Sequence, residues 1–198
     1  MLPIEWTELR ALRSRYYTCG YCGASIASEK GWSGKYVKLP REASIYICHR
    51  CFCPSFFDID QKQTPGPSVG NPVEDIPEKE LQDLYDEARR TTATGSYTAA
   101  VLCCRKLLMH IAVSKGAKPG DSFISYVEYL ADHNYVPPDA KEWVDHIRKK
   151  GNEANHEISI MAKDDAGDLI RFSEMLLKVI YEFPASIKKR LKESTPTT

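Results

Sequence analysis

The sequence predicts a mainly α protein, a helical bundle with a small β ribbon in front of it. Two observations carry that reading. Apolar residues recur at helical spacing from about residue 77 onward, whereas no helix-length periodicity appears between Tyr16 and Phe57. The segment joining the two parts is too rich in Pro and Gly to be either. Bulk properties fit a folded chain: 198 residues, 42% hydrophobic and 27% charged, with 27 Lys+Arg against 27 Asp+Glu. Zero net charge exerts no whole-chain pull toward nucleic acid or membranes, so any such contact has to be local. No apolar run approaches the roughly 20 residues of a membrane-spanning helix, and Glu5 and Glu8 interrupt the stretch a signal peptide would need. The expectation is a cytoplasmic protein with no membrane partner.

The ribbon comes first. Residues 1–57 hold ten of the twenty aromatics and five of the seven cysteines. Cys19-Gly-Tyr-Cys22 and Cys48-His-Arg-Cys51 are two Cys-x-x-Cys pairs separated by 25 residues. Each pair forms a tight turn that presents two thiolates to one ion, and two such turns complete a tetrahedral Zn²⁺ site. One structural Zn²⁺ per chain on Cys19, Cys22, Cys48 and Cys51 is therefore expected. Gly23 relieves the first turn, while Phe52 stands at the matching place in the second. His49 and Cys53 compete with Cys51 as the fourth ligand. Without an export signal the thiols are read as reduced, which sets aside a disulfide framework, and four Cys leave no open position for catalysis. A unit of this size has too little core to fold alone, and a metal supplies what is missing.

The ribbon's aromatics either fill its thin core or stack on bases. Residues 1–57 carry eight Lys/Arg against four acids, so a nucleic-acid partner, RNA or DNA, is a candidate, with Lys35, Lys38 and Arg41 as phosphate contacts. Residues 58–76, with Pro65, Pro67, Pro72, Gly66 and Gly70, read as a linker. An acidic span follows: from Asp58 to Arg90 there are nine acids and four bases.

The bundle is expected over residues 77–193. Asp75 with Glu78 three residues later, and Pro77 in the first turn, start a helix that runs to about residue 93. Tyr97–Ser114 is a second and more apolar helix, ended by Gly116 and central in the bundle. A third spans about 122–133 and stops before Pro137-Pro138. A fourth begins near Asp139, and a fifth runs from about 164 to 182 with Pro184 ending it. The basic run IKKRLKES forms a short closing helix, and residues 194–198 are a disordered tail. Cys103 and Cys104 fall in the apolar second helix as small core residues, and Arg105 beside them is either a buried ion-pair partner or part of a phosphate-facing patch.

The fourth helix carries the most distinctive chemistry, in KEWVDHIRKKGNEANHEISI. As one continuous helix it places Trp143, Ile147, Gly151, Ala154 and Ile158 on the core side, with Arg148, Asn152, Asn155 and His156 opposite. Gly151-Asn152 equally suits a break between two helices. A structural role for these residues, capping a junction or bonding to carbonyls, competes with a functional one.

IRKKGNEANH, with Arg148, Gly151-Asn152 and His156, resembles the signature of the prokaryotic domain-of-unknown-function family numbered 4145. AAVLCCRKLLMHIA and LLKVIYEFP are similar to that family's second and last helices, so the resemblance covers about residues 77–185. The family in turn resembles the HEPN helical domains, whose active members are metal-independent endoribonucleases that dimerise and place an Arg and a His in a shared cleft. The resemblance implies an HEPN-like bundle, a homodimer through the helical part, and work in phage defence or restriction beside another defence-system protein. Arg148, Asn152 and His156 become the candidate catalytic residues: His156 would move the ribose 2′-hydroxyl proton, Arg148 would steady the phosphate, and Asn152 would orient either. HEPN sites space the pair by four to six residues; here seven intervene and Lys149 follows the Arg. The function expected first is a binding or adaptor module, with the endoribonuclease as the alternative.

Overall fold

The computed structural model describes residues 4–37, 41–137, 140–156 and 160–193, apart from the side chains of Lys141, residues 151–156 and Glu193. Lys38, Ile158 and the tail 194–198 lie outside the described residues. The chain forms two compact units, Met1–Ser68 with Thr92–Gly95, and Val69–Thr91 with Ser96–Thr198.

The first unit is an antiparallel meander of five strands in sequence order: β1 Arg10–Thr18, β2 Ser25–Lys35, β3 Glu42–Ile47, β4 Pro54–Phe57 and β5 Gln63–Thr64. The mainly α class expected from the sequence is corrected by this sheet: the fold mixes α and β. The cause is strand length. β1 and β2 run nine and eleven residues, far beyond the turn that the cysteines need. Gly31 lets β2 and β3 approach, since a Cβ there would meet the Ile45 carbonyl oxygen at 1.8 Å.

Alternation along β1, β3 and β4 sorts the aromatics onto two faces, while β2, with Ile26, Ser28 and Gly31 buried, changes phase between Ser28 and Gly31. Tyr17, Ile26, Tyr46 and Phe57 are buried together on one, with Phe57 edge-on to Tyr17 at 5.2 Å and to Tyr46 at 5.7 Å. On the other face Tyr16 lies opposite Ala27, and Trp32, Ile45 and Phe56 stand in one cross-strand row. Tyr16 is 75% exposed and Phe56 40%. Core filling thus accounts for some of the ribbon's aromatics and leaves others facing outward.

The segment 58–76, read as a linker, is divided between the units. Its first part carries β5 and a turn in which Asp58 accepts the amides of Asp60 and Lys62. Its second part, Val69–Ile76, lies along the helices as a strap. Val73 is 2% exposed, Tyr85 donates its hydroxyl to the Asn71 carbonyl, and Glu174 accepts the Asn71 amide.

The second unit comprises α1 Lys79–Ala93, α2 Tyr97–Ser114, α3 Phe123–Asp132, α4 Lys141–His156, α5 Lys163–Leu177 and α6 Phe183–Glu193. Central α2 buries Val101, Cys104, Leu107, Leu108 and Ile111 completely. With 18 residues at mean hydropathy 1.2 it comes nearer to a membrane-spanning length than the sequence reading allowed, a property that buried core helices share. Ser122 caps α3 by accepting the Ser125 amide at 3.1 Å, and Asn134 leaves the helix at φ 61°.

The expected end of the fifth helix at Pro184 is corrected. A π-helical turn, Lys178–Glu182, passes the chain from α5 into α6, with the Phe183 amide donating to the Lys178 carbonyl. Pro184 follows this π turn directly, within a helix that continues past it.

Candidate metal centre

The two Cys-x-x-Cys segments form the same structure twice. Each is a six-residue connection between paired strands, Cys19–Ala24 from β1 to β2 and Cys48–Cys53 from β3 to β4. In the first, the Gly23 amide donates to the Cys19 carbonyl at 2.9 Å and the Cys19 amide to the Ala24 carbonyl at 2.9 Å. In the second, Phe52 donates to Cys48 at 2.8 Å and Cys48 to Cys53 at 3.0 Å. Gly23 and Phe52, at matching places, take φ 69° and 60°. That conformation is free for Gly and strained for a bulky residue.

These turns bring the Sγ atoms of Cys19, Cys22, Cys48 and Cys51 within 4.8 Å of one another, an arrangement that can hold a metal ion. Cys19 lies 3.7 Å from Cys51 and Cys22 3.8 Å from Cys48. Four sulfurs at about 2.3 Å from a tetrahedral ion stand about 3.8 Å apart, so these separations match a coordination tetrahedron. The Tyr21 amide points at the Cys19 sulfur at 3.4 Å, as a thiolate acceptor requires. Cys53 and His49, the competing ligands, are not in this cluster: Cys53 is buried with its thiol toward the Cys51 carbonyl, and His49 is exposed.

Burial raises the thiols of Cys19 and Cys51 above their ordinary range. At Cys48 burial acts the same way, but the amides of Cys51 and Arg50 and the neighbouring thiols outweigh it and lower the value. Four neighbouring thiols cannot all ionise in a half-buried pocket unless a cation compensates them. The donor set, with no carboxylate or imidazole among its members, suits a soft-ligand structural ion rather than a catalytic one.

Elsewhere in the ribbon, sequence reasoning missed the N-terminal segment. The Trp6 indole N–H donates to the Phe52 carbonyl at 2.7 Å, and its ring stands edge-on to Trp32 at 5.6 Å. The signal was slight: Trp6 between Glu5 and Thr7, with Ile4 and Leu9 near it.

In the helical unit α4 runs unbroken through Gly151-Asn152, so the alternative of a break there is not the one adopted. Ile147 and Val144 are buried, and Trp143 packs edge-on against Phe172 at 5.1 Å. Arg148 is held between two carboxylates, Glu128 at 2.7 Å and Asp145 at 2.9 Å, in a depression of about 360 Å³ that Asp132 also lines. Its surroundings are anionic, the opposite of a phosphate cradle. The side chains of Asn152, Asn155 and His156 lie outside the described residues; along the helix axis positions 148 and 156 are about 12 Å apart. Arg105 is 8% exposed with its guanidinium 4.4 Å from the Phe123 ring centre, which makes it a core residue rather than part of a phosphate-facing patch. Cys104 is fully buried, its thiol pushed up to about 12 by burial, and serves as a small apolar residue.

A family model described as Domain of unknown function (DUF4145) matches residues 86–194, more than half of the chain. The chain belongs to this family. The DUF4145 match covers the second half of α1 and all of α2 to α6, and leaves the cysteine cluster outside it. No curated protein and no solved structure matches the DUF4145 chain.

Proposed function

We propose that the protein is a non-catalytic binding module in which one structural Zn²⁺, held by Cys19, Cys22, Cys48 and Cys51, supports a sheet that receives single-stranded nucleic acid. One observation carries the reading: the outward face presents the row Trp32, Ile45 and Phe56, with Tyr16 beyond it, instead of the polar residues of an idle solvent face. Stacked bases are sequence-tolerant partners for such a surface. Exposed cations accompany it, among them Arg10, Lys30, Lys35 and Arg41. Lys35 meets Glu42 at 3.8 Å and Arg41 meets Asp60 at 3.1 Å, both in solvent, where such pairs are weak enough to yield to a phosphate.

The helical unit anchors or couples this module in our reading and does not cleave. The carboxylates on Arg148 support that assignment. The resemblance to HEPN domains supports a prokaryotic defence or restriction setting.

The test is fluorescence anisotropy with labelled 12-nucleotide single strands. Binding should weaken with salt, by a slope of about 0.7 per phosphate neutralised, and should drop in Lys35→Ala, Arg41→Ala and Phe56→Ala. RNA should be recovered intact. Absence of binding at low salt would overturn the proposal, and cleavage that vanishes in His156→Ala would replace it with catalysis.

A further inference from the structure

A cavity of about 480 Å³ opens on the outward face of the sheet, between the N-terminal segment and the second cysteine turn. Its volume is that of a small-molecule site, commonly about 300–1,000 Å³. Trp6, Leu9 and Phe52 are among its walls, and Ile47, 6% exposed, lies among its lining residues. Ionisable groups line it too: Glu5, Glu29, Lys30 and His49, all exposed.

Phe52 is the informative residue. It occupies the positive-φ position that Gly23 fills in the twin turn, and a bulky side chain there is strained. The turn does not need it, because Gly serves in the other copy. The core does not need it either, because Phe52 is 38% exposed and stands outside the buried cluster of the ribbon. What the ring does is line the cavity that Trp6 also lines, while the Trp6 indole N–H grips the Phe52 carbonyl at 2.7 Å. The strained residue and the N-terminal segment are thus fastened together at the cavity.

We infer that this cavity receives one unpaired nucleobase of the strand lying on the outward face, a conclusion that rests on the nucleic-acid reading above and names its specificity site. Two aromatic rings supply stacking surfaces for a planar heterocycle. Lys30 supplies a cation for the adjoining phosphates, and the exposed His49 ring stands beside it at the cavity wall. Glu5 and Glu29 supply acceptors, which favour bases carrying exocyclic amino groups, cytosine, adenine and guanine, over thymine and uracil. The base enters beside Trp32, whose ring already contacts Trp6, so the cavity and the aromatic row form one continuous track.

The decisive variant is Phe52→Gly in the full zinc-loaded chain, because it removes the ring and gives the turn its easiest residue. Anisotropy is read with all-cytosine and all-thymine 12-mers. The wild type should prefer cytosine. Phe52→Gly should melt no lower than wild type, bind the cytosine strand about tenfold more weakly and lose the preference. Trp6→Leu should weaken the same strand, and the cytosine strand should quench tryptophan fluorescence more than the thymine strand does. If Phe52→Gly binds both strands as the wild type does while Phe56→Ala weakens them, the cavity assignment falls and the surface reading stands. If the wild type binds neither strand, both fall.

Discussion

The two units solve the same problem with different means. Among the described residues the sheet's buried apolar cluster has six members, and two of them, Cys19 and Cys48, belong to the thiol cluster. The helical unit's cluster has twenty-six, running from Val73 on the strap through α2 to Leu177. A hydrophobic core of the first size does not offset the conformational entropy of some sixty residues, whereas one of the second size is that of an ordinary small domain. Apolar burial holds the helices; the sheet has instead a thiol cluster at its hairpin turns that can hold a metal ion, and in the proposed reading that ion supplies what its small core lacks.

The largest effect should come from removing that ion. A structural metal contributes about 10–16 kcal/mol at neutral pH in small zinc domains, more than a sheet of this size can spare. Cys48→Ser, or a strong chelator, should release about one Zn per chain and abolish protection of the β2 and β3 amides in hydrogen exchange, while the helical circular dichroism stays. A sheet that keeps its protection without metal would erase the distinction between the units.

The converse variant attacks the other core. Phe172 is completely buried in α5 and carries the Trp143 ring edge-on. Phe172→Ala should cost the helical unit about 3–5 kcal/mol, seen as a lowered urea midpoint of the helical signal. Zinc content should remain near one per chain. Coupled loss of metal would mean that the units do not fold separately.

What could be read from the residues follows the same division. The cysteine turns were legible because ligand spacing is local: four residues from each of two places suffice to place four sulfurs. The long strands were not, because residues such as Ser25, Glu29 and Ser33 on β2 suppress the alternation that marks a strand, and β2 owes its length to partners on both sides. Helices α1 to α3 announced themselves through periodicity, and Ser122 caps α3 as its type suggests; the expected start of α1 at Asp75 and Pro77 is corrected, since the helix begins at Lys79 and Asp75 sits at φ 59° bound to Lys189. The strap did not announce itself: Val73 is one apolar residue among Pro and Gly, and the bonds that fasten the strap join Asn71 to Glu174 and Tyr85, 103 and 14 positions away. Pro184 misled for a related reason, since a π-turn can absorb a missing N–H and nothing in the local composition marks one. Arg148 stands out in the motif, but its acidic neighbour Glu128 comes from α3, beyond the reach of a motif.

The smallest effect concerns the strap, and pH resolves it. Glu174 is largely buried, which by itself would raise its carboxyl, yet Lys178 at 2.6 Å and the Asn71 amide and side chain at 2.9 and 3.0 Å hold it below the ordinary carboxylate value near 4.5. The unfolded chain therefore binds this proton more readily than the folded one, and stability rises with pH across the interval between the two values. The contribution is complete above the unfolded value and disappears as pH falls through the folded one. Glu174→Gln keeps the shape and removes the charge, so it should cost the helical unit about 1–3 kcal/mol at pH 7 and less at pH 3, below the unfolded carboxyl value, where the advantage of the charged form is being lost. Urea titrations of the helical signal at the two pH values measure this directly. In the proposed zinc-loaded sheet acid acts differently, by protonating the thiolates that hold the ion, so comparing the two acid transitions separates a carboxylate that fastens a strap from a cluster that needs its ion. A difference between wild type and variant that persists undiminished at pH 3 would show that Glu174 holds Asn71 by shape and not by charge.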